Sequence, residues 1–397
     1  MIPRVKINFT NGALGQVSPS ADGVIGVLTT GVAVANTFEL LKTYKLNKYD
    51  DITPLGITAE NNPGIVKLLT ELYNQAPAAE VYLKAFAETA TLTEMATQTT
   101  TNGVTEMLRS ANGRIRVLLI HRTPASSYSP TVSDGLDGDV STAMVAAQVT
   151  CEWATETLKA PCFAIIAGLY FSGDVTELAD LTQATNNRVA VMIGDTVTGN
   201  GCAIGLLGGR LAASPVQRNI ARVKDGAIKG VATAYIKDKY VEQADFAGIH
   251  DKGYITMRTL VGRIGYFFAD DPLAAAVTDD YCHITARRTV DKAYRVAYST
   301  LINELVDEIP VNDAGQMSVA FAKSLESKVE GAIINSMTAN GELGNDPSST
   351  NDTGVICFVD FKQNIVSTGR IVITLKVKPY GYGRYFDVNL GFQTLTQ

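Results

Sequence analysis

The sequence has little charge and lacks a run of basic residues. Of its 397 residues, 19% are charged and 46% are hydrophobic, and the formal net charge is −6. No lysine and arginine cluster of the kind that contacts phosphate backbones is present, so we expect no direct, sequence-specific binding to nucleic acid. A surface with few charges is compatible with large contacts between subunits.

Paired cysteines, histidine clusters and long apolar runs are also missing. The five cysteines are widely spread and form no CxxC pair, which favours a reducing compartment. Cys282 and His283 are adjacent, so in a strand they would point to opposite faces and would not share a metal. The longest apolar run, residues 161–171, is about half of what a bilayer crossing needs. Residues 1–4 do not resemble a signal peptide. We therefore expect a cytosolic chain without a metal, a cofactor or a membrane segment.

The best enzymatic lead is the glycine-rich stretch from Gly194 to Gly201. It lies between a predicted strand and a predicted helix, where backbone N–H groups can bind phosphate. The spacing does not match a nucleotide-binding motif, because Asn200 and Gly201 stand where lysine and a hydroxyl residue would be needed. A plain strand-to-helix turn is the favoured interpretation. An α/β enzyme or nucleotide-binding protein that uses this loop remains the alternative function.

Three further groups admit a binding and a structural interpretation. The acidic residues 134–139 lack the alternating ligand spacing of a calcium loop, so a solvated turn before a helix is favoured. Arg287 and Arg288 could bind an anion, although a salt-bridged pair at a helix start is more common. Tyrosines 380, 382 and 385 could stack bases, but a turn between strands fits the acidic composition better. No nucleophile motif is present, so we predict no catalytic residue.

The hydrophobic pattern predicts a helix-covered, parallel-type sheet in the first part of the chain. Apolar runs that alternate with helical stretches are typical of strands buried on both faces. The predicted strands are residues 23–31, 80–86, 114–121, 162–169 and 188–193. One predicted helix has Asn62 as its N-cap and Pro63 in its first turn, and the other predicted helices cover residues 141–159, 175–185 and 202–213.

The pattern changes after about residue 250 and predicts an α+β domain. Its predicted strands are residues 255–259, 283–287 and 354–361, and its predicted helices are residues 290–309 and 318–337. We therefore predict four parts: an N-terminal linker arm (1–20), an α/β domain (21–250), an α+β domain (251–365) and a C-terminal strand arm (366–397).

Both ends of the chain carry strand-like segments with alternating apolar residues. Period-two alternation is the signature of a strand with one buried face, and such a strand needs a partner sheet. From the pattern alone, that sheet could belong to the same chain or to a neighbour. The apolar faces consist of Val5, Ile7 and Phe9 at the N-terminus, and of Ile371, Ile373, Leu375, Val377, Phe386, Val388, Leu390 and Phe392 at the C-terminus.

Several short motifs, in order along the chain, resemble the contractile tail sheath proteins of bacteriophages and related injection machines. Residues 24–28 and Gly31 are similar to the opening strand of that family, and residues 37–56 to the segment after it. The other matching segments are residues 247–250, 253–259, 281–288, 371–379 and 388–392. His250 and Met257 depart from the family pattern, and large inserted domains are missing, so the chain resembles a compact, divergent member.

The resemblance implies a structural role without catalysis. Sheath subunits form a helical homopolymer in six-fold rings around an inner tail tube, and they contract to drive delivery of the tube with DNA or effectors. Their terminal arms add strands to the sheets of neighbours. The implied partners are other copies of the chain, the inner tube protein, and baseplate and terminator or collar proteins. The implied location is a virion tail or injection apparatus assembled in the bacterial cytoplasm. The eleven apolar residues of the terminal strands would then be the interface between subunits.

Overall fold

The computed structural model describes residues 22–99, 102–125, 127–349, 351–388 and 390. The chain divides into two compact units, and the division falls between Tyr298 and Ser299. Each unit is described by itself below. Within the described residues, no helix is both long and apolar enough to cross a membrane.

The first unit is built on a six-stranded sheet that is mostly parallel. Its strands are β1 (Ile25–Thr30), β2 (Thr43–Leu46), β3 (Val81–Phe86), β4 (Val117–Ile120), β5 (Phe163–Ala167) and β6 (Val189–Met192). Their order across the sheet is β2-β3-β1-β4-β5-β6, and β2 is antiparallel to its neighbour while the others are parallel. Except in β2, every strand residue is buried, which explains the continuous apolar runs in the sequence.

Helices cover both faces of this sheet. Neighbouring residues of β4 show the two faces, because Leu118 lies beside α3 whereas Leu119 lies against Gly208 of α5. Helices α1 and α5 pack together on one face, and α2, α3 and α4 pack together on the other. Their bounds are α1 (Pro63–Gln75), α2 (Leu92–Ala96), α3 (Gly103–Ser110), α4 (Gly138–Glu156) and α5 (Ile204–Ala213).

Helices α1 and α5 approach so closely that only glycine fits at their contact. A Cβ atom on Gly205 would lie 2.3 Å from the carbonyl oxygen of Leu68, and one on Gly209 would lie 2.3 Å from that of Leu72. Backbone therefore packs directly on backbone. This contact explains why the small-residue stretch 202–213 forms a helix inside the core despite the low helix propensity of glycine.

Short elements connect the sheet to the rest of the first unit. The two-residue antiparallel pairs are Val132–Ser133 with Leu136–Asp137, Tyr235–Ile236 with Lys239–Tyr240, Met257–Arg258 with Phe267–Phe268, and Ala274–Ala275 with Thr185–Asn186. Single 3-10 turns occupy Tyr49–Ile52, Val175–Glu177, Leu181–Gln183, Val223–Asp225 and Val241–Gln243. Helix α6 (Phe246–Asp251) follows, and α7 (Ile284–Leu301) runs across the division between the units.

The predicted helix over residues 175–185 is wrong. Asp174 accepts a hydrogen bond from the backbone N–H of Thr176 (2.8 Å), and Asp180 accepts one from that of Thr182 (3.0 Å). Each aspartate thus starts its own 3-10 turn, and these local bonds compete with a continuous helix.

The predicted strand over residues 283–287 is also wrong, because α7 begins at Ile284. The buried carboxylate of Asp271 accepts the backbone N–H of Thr285 at 2.9 Å, and the Asp271 carbonyl oxygen accepts that of Ile284. A residue distant in sequence therefore satisfies the first turn of the helix. The predicted helix 290–309 is replaced by α7 and a 3-10 turn at Ile302–Glu304.

The second unit packs one helix against a two-stranded sheet. Helix α8 (Val319–Ile333) continues into a π-helical turn (Ile334–Thr338), and β7 (Val355–Val359) pairs antiparallel with β8 (Ile373–Val377). In the sequence, a short helix, α9 (Ile365–Thr368), connects β7 to β8. Within the described residues, β7 and β8 pair with each other and with no third strand. The buried core consists of Met317, Ala322, Leu325 and Val359.

Candidate functional site

The N-terminal part of the predicted interface cannot be placed. Val5, Ile7 and Phe9 lie outside the described residues, and so does Phe392 at the other end. These four positions stay predictions from the sequence.

The apolar face of residues 371–377 has its partner sheet within the chain. Ile373 and Val377 mark the ends of β8, which are paired with Val359 and Val355 of β7. Ile371 and Ile373 also pack on the small core of the second unit. All four predicted interface residues of this segment, including Leu375, are half-buried. One edge of β8 is therefore paired with β7 of the same chain. Within the described residues, the other edge of β8 has no strand partner.

The segment after β8 differs from the predicted second strand. Residues 384–388 form no strand, so that prediction is wrong for the part that is described. Their apolar side chains lie in solvent, with exposed fractions of 84% for Phe386, 80% for Val388 and 94% for Leu390. Three large apolar side chains at alternate positions with this exposure are unusual for a folded chain and make the segment a candidate contact surface.

The outer face of the small sheet is apolar on β7 and polar on β8, where Thr374 and Lys376 are exposed. Strand β7 alternates, so that Val355, Cys357 and Val359 are buried whereas Ile356 and Phe358 are exposed. On the outer edge of β7, the backbone N–H groups of Cys357 and Val359 donate to Glu330 and Glu326 of α8 at 2.7 and 2.9 Å, so this edge is covered. Within the described residues the outer edge of β8 has no strand partner, and an open edge of this kind suits the addition of a further strand.

A crevice lies at the carboxyl ends of the parallel strands in the first unit. Residues that follow β4, β5 and β6 line it together with the first turns of α1, and its volume is about 340 Å³. In open α/β sheets, ligands bind at this edge, where the strand order reverses. The order β3-β1-β4 places such a reversal beside β1.

The glycine-rich stretch 194–201 contributes to this crevice. Three of its backbone N–H groups donate within the chain: that of Asp195 to the Tyr235 carbonyl, that of Thr196 to the Asp195 carboxylate, and that of Gly199 to the Lys237 carbonyl. These three donors are therefore not available to phosphate. The stretch is a strand-to-helix turn, as the favoured interpretation predicted.

A charged cluster forms the floor of the crevice. Lys67 of α1 contacts the buried Asp195 carboxylate and lies 3.3 Å from Glu71, one turn further along the helix. Burial raises the pKa of Glu71 to about 7; Lys67 opposes this shift and Asp195 adds to it. Burial by itself would lower the pKa of Lys67, but the two carboxylates outweigh it and raise that pKa.

His121 and Arg122 follow β4 directly and complete the crevice. Burial lowers the pKa of His121 to about 3, and nearby Lys67 adds to this, so the imidazole is neutral. The Arg122 side chain is 2% exposed, and its Nε and Nη1 atoms have no hydrogen-bond partner. His121 and Arg122 were not identified as crevice residues from the sequence. The signal that could have identified them is the His-Arg-Thr run directly after an apolar strand.

Among the described residues, one group could hold a metal ion: Asp270, Asp271 and His283. The His283 Nδ1 atom lies 3.2 Å from Asp271 Oδ1, and the Asn219 amide donates to both carboxylates at 2.6 and 2.8 Å. Asp271 also receives the first N–H groups of α7, as described above. These contacts give the group a structural role at the helix start.

The paired arginines and the acidic turn are structural as well. Arg287 bonds to Asp291 at 3.1 Å, which agrees with the salt-bridged interpretation, whereas Arg288 donates to backbone carbonyl groups. In the acidic run, Asp134 and Gly135 form the turn of a short hairpin, and Asp137 caps the start of α4.

Comparisons with known proteins agree with this architecture. The family described as DUF2586 matches in two parts, its N-terminal domain over residues 2–272 and its C-terminal domain over residues 280–396. A comparison with curated protein sequences gave no match.

Among solved structures, similar folds come from contractile injection systems. A structure of the anti-feeding prophage baseplate has a TM-score of 0.63 at 13% identity, covering 99% of both chains. The helical sheath of the same particle in the contracted state has a TM-score of 0.61 at 16% identity, again over 99% of both chains. The contracted sheath complex of an extracellular contractile injection system, PVC, has a TM-score of 0.60 at 14% identity, covering 99% of this chain and 98% of that one. At these identities the likeness establishes a shared fold, and it confirms the resemblance in the sequence.

Proposed function

Because the chain belongs to the DUF2586 family and has the fold of contractile sheath subunits, we propose that it is a structural subunit of a contractile tail sheath. In this role it polymerises helically around an inner tube, and its conformational change drives delivery of the tube with DNA or effectors. The observation that supports it best is full-length agreement with subunits of a helical sheath, together with an exposed apolar C-terminal segment.

We propose that the subunits are joined by strand addition at the second unit. The small sheet exposes Ile356 and Phe358 on its outer face and, within the described residues, has an open edge at β8. A neighbour's segment that contains Phe386, Val388 and Leu390 would extend this sheet. Its apolar side chains would then be buried in the contact. Backbone hydrogen bonds then supply affinity, while the alternating side chains fix the register.

The proposed contacts leave β8 in its own subunit. Ile373, Leu375 and Val377 face inward, and β8 pairs with β7. The role of β8 would therefore be to accept a neighbour's strand at its free edge, and β8 itself would not be donated to another subunit. The donated parts would be residues 384–397 and the N-terminal arm with Val5, Ile7 and Phe9. Head-to-tail contacts that do not close on themselves generate an open helix. The other partners would be the inner tube protein and baseplate and terminator proteins.

The test is assembly in the presence of the inner tube and baseplate proteins, followed by negative-stain electron microscopy. The triple variant Phe386→Ser, Val388→Ser, Leu390→Ser keeps β8 and removes only exposed side chains. We expect the wild-type chain to form striated hollow tubes and the triple variant to remain as soluble subunits with unchanged melting temperature. A deletion of residues 384–397 should behave in the same way.

The matched control is Val261→Ser with Ile264→Ser, which removes two fully exposed apolar side chains elsewhere in the first unit. This control should assemble normally. Tubes of normal length from the triple variant would contradict strand addition through this segment, and discrete particles from the wild-type chain in the complete mixture would contradict the sheath role itself.

A further inference from the structure

The outer edge of β8, which within the described residues has no strand partner, has a defined hydrogen-bonding pattern. Cys357 and Val359 of β7 direct their backbone N–H groups away from β8 and toward α8. In an antiparallel pair, opposite residues alternate between pairs that exchange hydrogen bonds and pairs that do not. The partners of these two residues, Leu375 and Ile373, therefore direct their own N–H and C=O groups to the outer edge of β8.

One segment of the chain matches this edge in both its apolar and its charged residues. We propose that the outer edge of β8 binds residues 385–390 of a second copy, antiparallel to β8 and with Asp387 opposite Lys376. This inference rests on the proposed sheath role and adds the occupant of the edge, its direction and its register. In that register, three apolar pairs lie on the inner face of the sheet: Phe386 with Val377, Val388 with Leu375, and Leu390 with Ile373.

The inward residues of β8 are incompletely covered by their own unit. Ile373, Leu375 and Val377 are half-buried, whereas the inward residues of β7 are buried. A further strand with apolar residues at the same spacing would complete their burial, and the apolar side chains of residues 386–390 are exposed. An antiparallel strand is favoured, because a parallel strand in the same charge register would place Leu390 opposite Pro379 and lose one apolar pair.

The outer face of the sheet supplies the charge pair. Lys376 and Asp387 are exposed, and among the described residues neither takes part in an ion pair. The next lysine of this face, Lys378, is already held by Asp352 at 2.6 Å. Because the N–H of Lys376 points toward β7, its pair with the added strand exchanges no backbone hydrogen bonds. At such pairs the Cα atoms approach to about 4.5 Å, and opposite charges stabilise the contact whereas like charges destabilise it.

The other candidate occupants of this edge fit less well. In the N-terminal arm, Arg4 and Lys6 alternate with the apolar residues, so a strand with its apolar face inward would bring a like charge to the face of Lys376. The chain's own residues 384–388 form no strand, and their apolar side chains lie in solvent. The outer edge of β7 is closed to any of these segments, because carboxylates of α8 already accept its N–H groups.

The first experiment exchanges the two charges in the full-length chain. Lys376→Glu and Asp387→Lys are made alone and together, and sedimentation with negative-stain electron microscopy gives the lowest subunit concentration that forms tubes in the complete assembly mixture. The matched controls are Lys362→Glu and Asp313→Lys, at exposed positions of the second unit. We expect each single variant to raise this concentration about three-fold or more, the double variant to restore the wild-type value, and the controls to leave it unchanged.

The second experiment identifies the occupant by cross-linking. Chains with Lys376→Cys are mixed with chains with Asp387→Cys, assembled and treated with oxidised glutathione, which closes a disulfide between two thiols and leaves as two molecules of reduced glutathione. The wild-type chain with its own cysteines gives the background. Lys6→Cys in place of Asp387→Cys tests the N-terminal arm. One chain with both Lys376→Cys and Asp387→Cys gives covalent multimers if the segment is exchanged between copies, and a bridged monomer if it is not.

We expect covalent dimers from the mixture of Lys376→Cys and Asp387→Cys, and only background with Lys6→Cys. The inference is overturned if the double charge reversal fails to restore assembly, if Lys6→Cys gives the dimer instead, or if the doubly substituted chain gives bridged monomers alone. In these cases the wild-type chain still forms tubes, so the sheath role stands. If the wild-type mixture gives no tubes and the cysteine variants give no dimers, the proposed function fails and this inference fails with it.

Discussion

Replacing Arg288 by methionine should remove a large part of the stability of the first unit. The guanidinium is buried, and its Nη2 atom donates to the carbonyl oxygens of Asp22, Leu211 and Ser214 at 3.2, 3.1 and 2.9 Å. It thereby joins the segment before β1, the C-terminal end of α5 and helix α7. Methionine keeps much of the side-chain volume but leaves these carbonyl groups without their charged donor.

The magnitude follows from the hydrogen bonds that the substitution removes. A hydrogen bond to a charged group contributes about 1.5–3 kcal/mol, and three bonds to one nitrogen are not additive, so we expect a loss of about 3–5 kcal/mol in the free energy of unfolding. Arg288→Lys keeps the charge on a single point and should lose about half of that amount. The assay is urea unfolding, monitored by the fluorescence of the single tryptophan, Trp153, which lies in the first unit.

The matched control is Arg218→Met, because Arg218 is a half-exposed arginine whose Nη1 atom lies 3.4 Å from the Asp225 carboxylate. An exposed ion pair contributes about 0–1 kcal/mol, so this variant should unfold almost like the wild type. If Arg288→Met lost less than about 1 kcal/mol, or no more than the control, the carbonyl contacts would not stabilise the fold as argued.

Two further predictions concern Glu71 of α1 and the close contact between α1 and α5. Since burial raises the pKa of Glu71 from 4.5 to about 7, the folded chain retains a proton between these values that the unfolded chain releases, and stability falls as the pH rises through that window. Glu71→Gln should remove this fall and gain up to about 3 kcal/mol over the wild type on going from pH 4.5 to pH 8, whereas the exposed Glu88→Gln should show no such gain in urea unfolding. Gly209→Ala should lower the melting temperature and cost about 1–3 kcal/mol or more, because its Cβ atom would overlap the Leu72 carbonyl oxygen. Gly331→Ala on α8, where a Cβ atom meets nothing within 4 Å, should instead stabilise by about 1 kcal/mol, and equal effects of the two substitutions would contradict the close helix contact.

The strands of the first unit could be predicted because burial on both faces leaves a simple signal. Residues 163–167 and 189–192 are apolar throughout, and the structure places both inside the sheet. The α1 start was equally clear, since Asn62 and Pro63 precede a periodic apolar stripe. These features depend on residues that are neighbours in sequence.

The features that were predicted wrongly, or not predicted, depend on contacts between residues that are far apart in the sequence. The stretch 283–287 contains β-branched residues and resembles a strand, but Asp271 supplies the first acceptor of a helix. The charged cluster of the crevice was invisible in the sequence for the same reason, because Lys67 and Asp195 are far apart along the chain. For residues 384–388 the alternation was real, but the described segment pairs with no strand in its own chain. The predicted domain limits and the N-terminal arm stay predictions.

The central position of β1 has a consequence for synthesis of the chain. This strand leaves the ribosome first, but its neighbours β3 and β4 follow later, and β4 ends at residue 120, roughly 90 residues after β1. At about 5–20 residues per second, the apolar strand waits about 5–20 seconds for its second partner. Until β3 emerges, both edges of β1 are open to other nascent chains, and one edge stays open until β4 follows. When many copies are made at once, chaperones or dilution would favour pairing of this strand within its own chain.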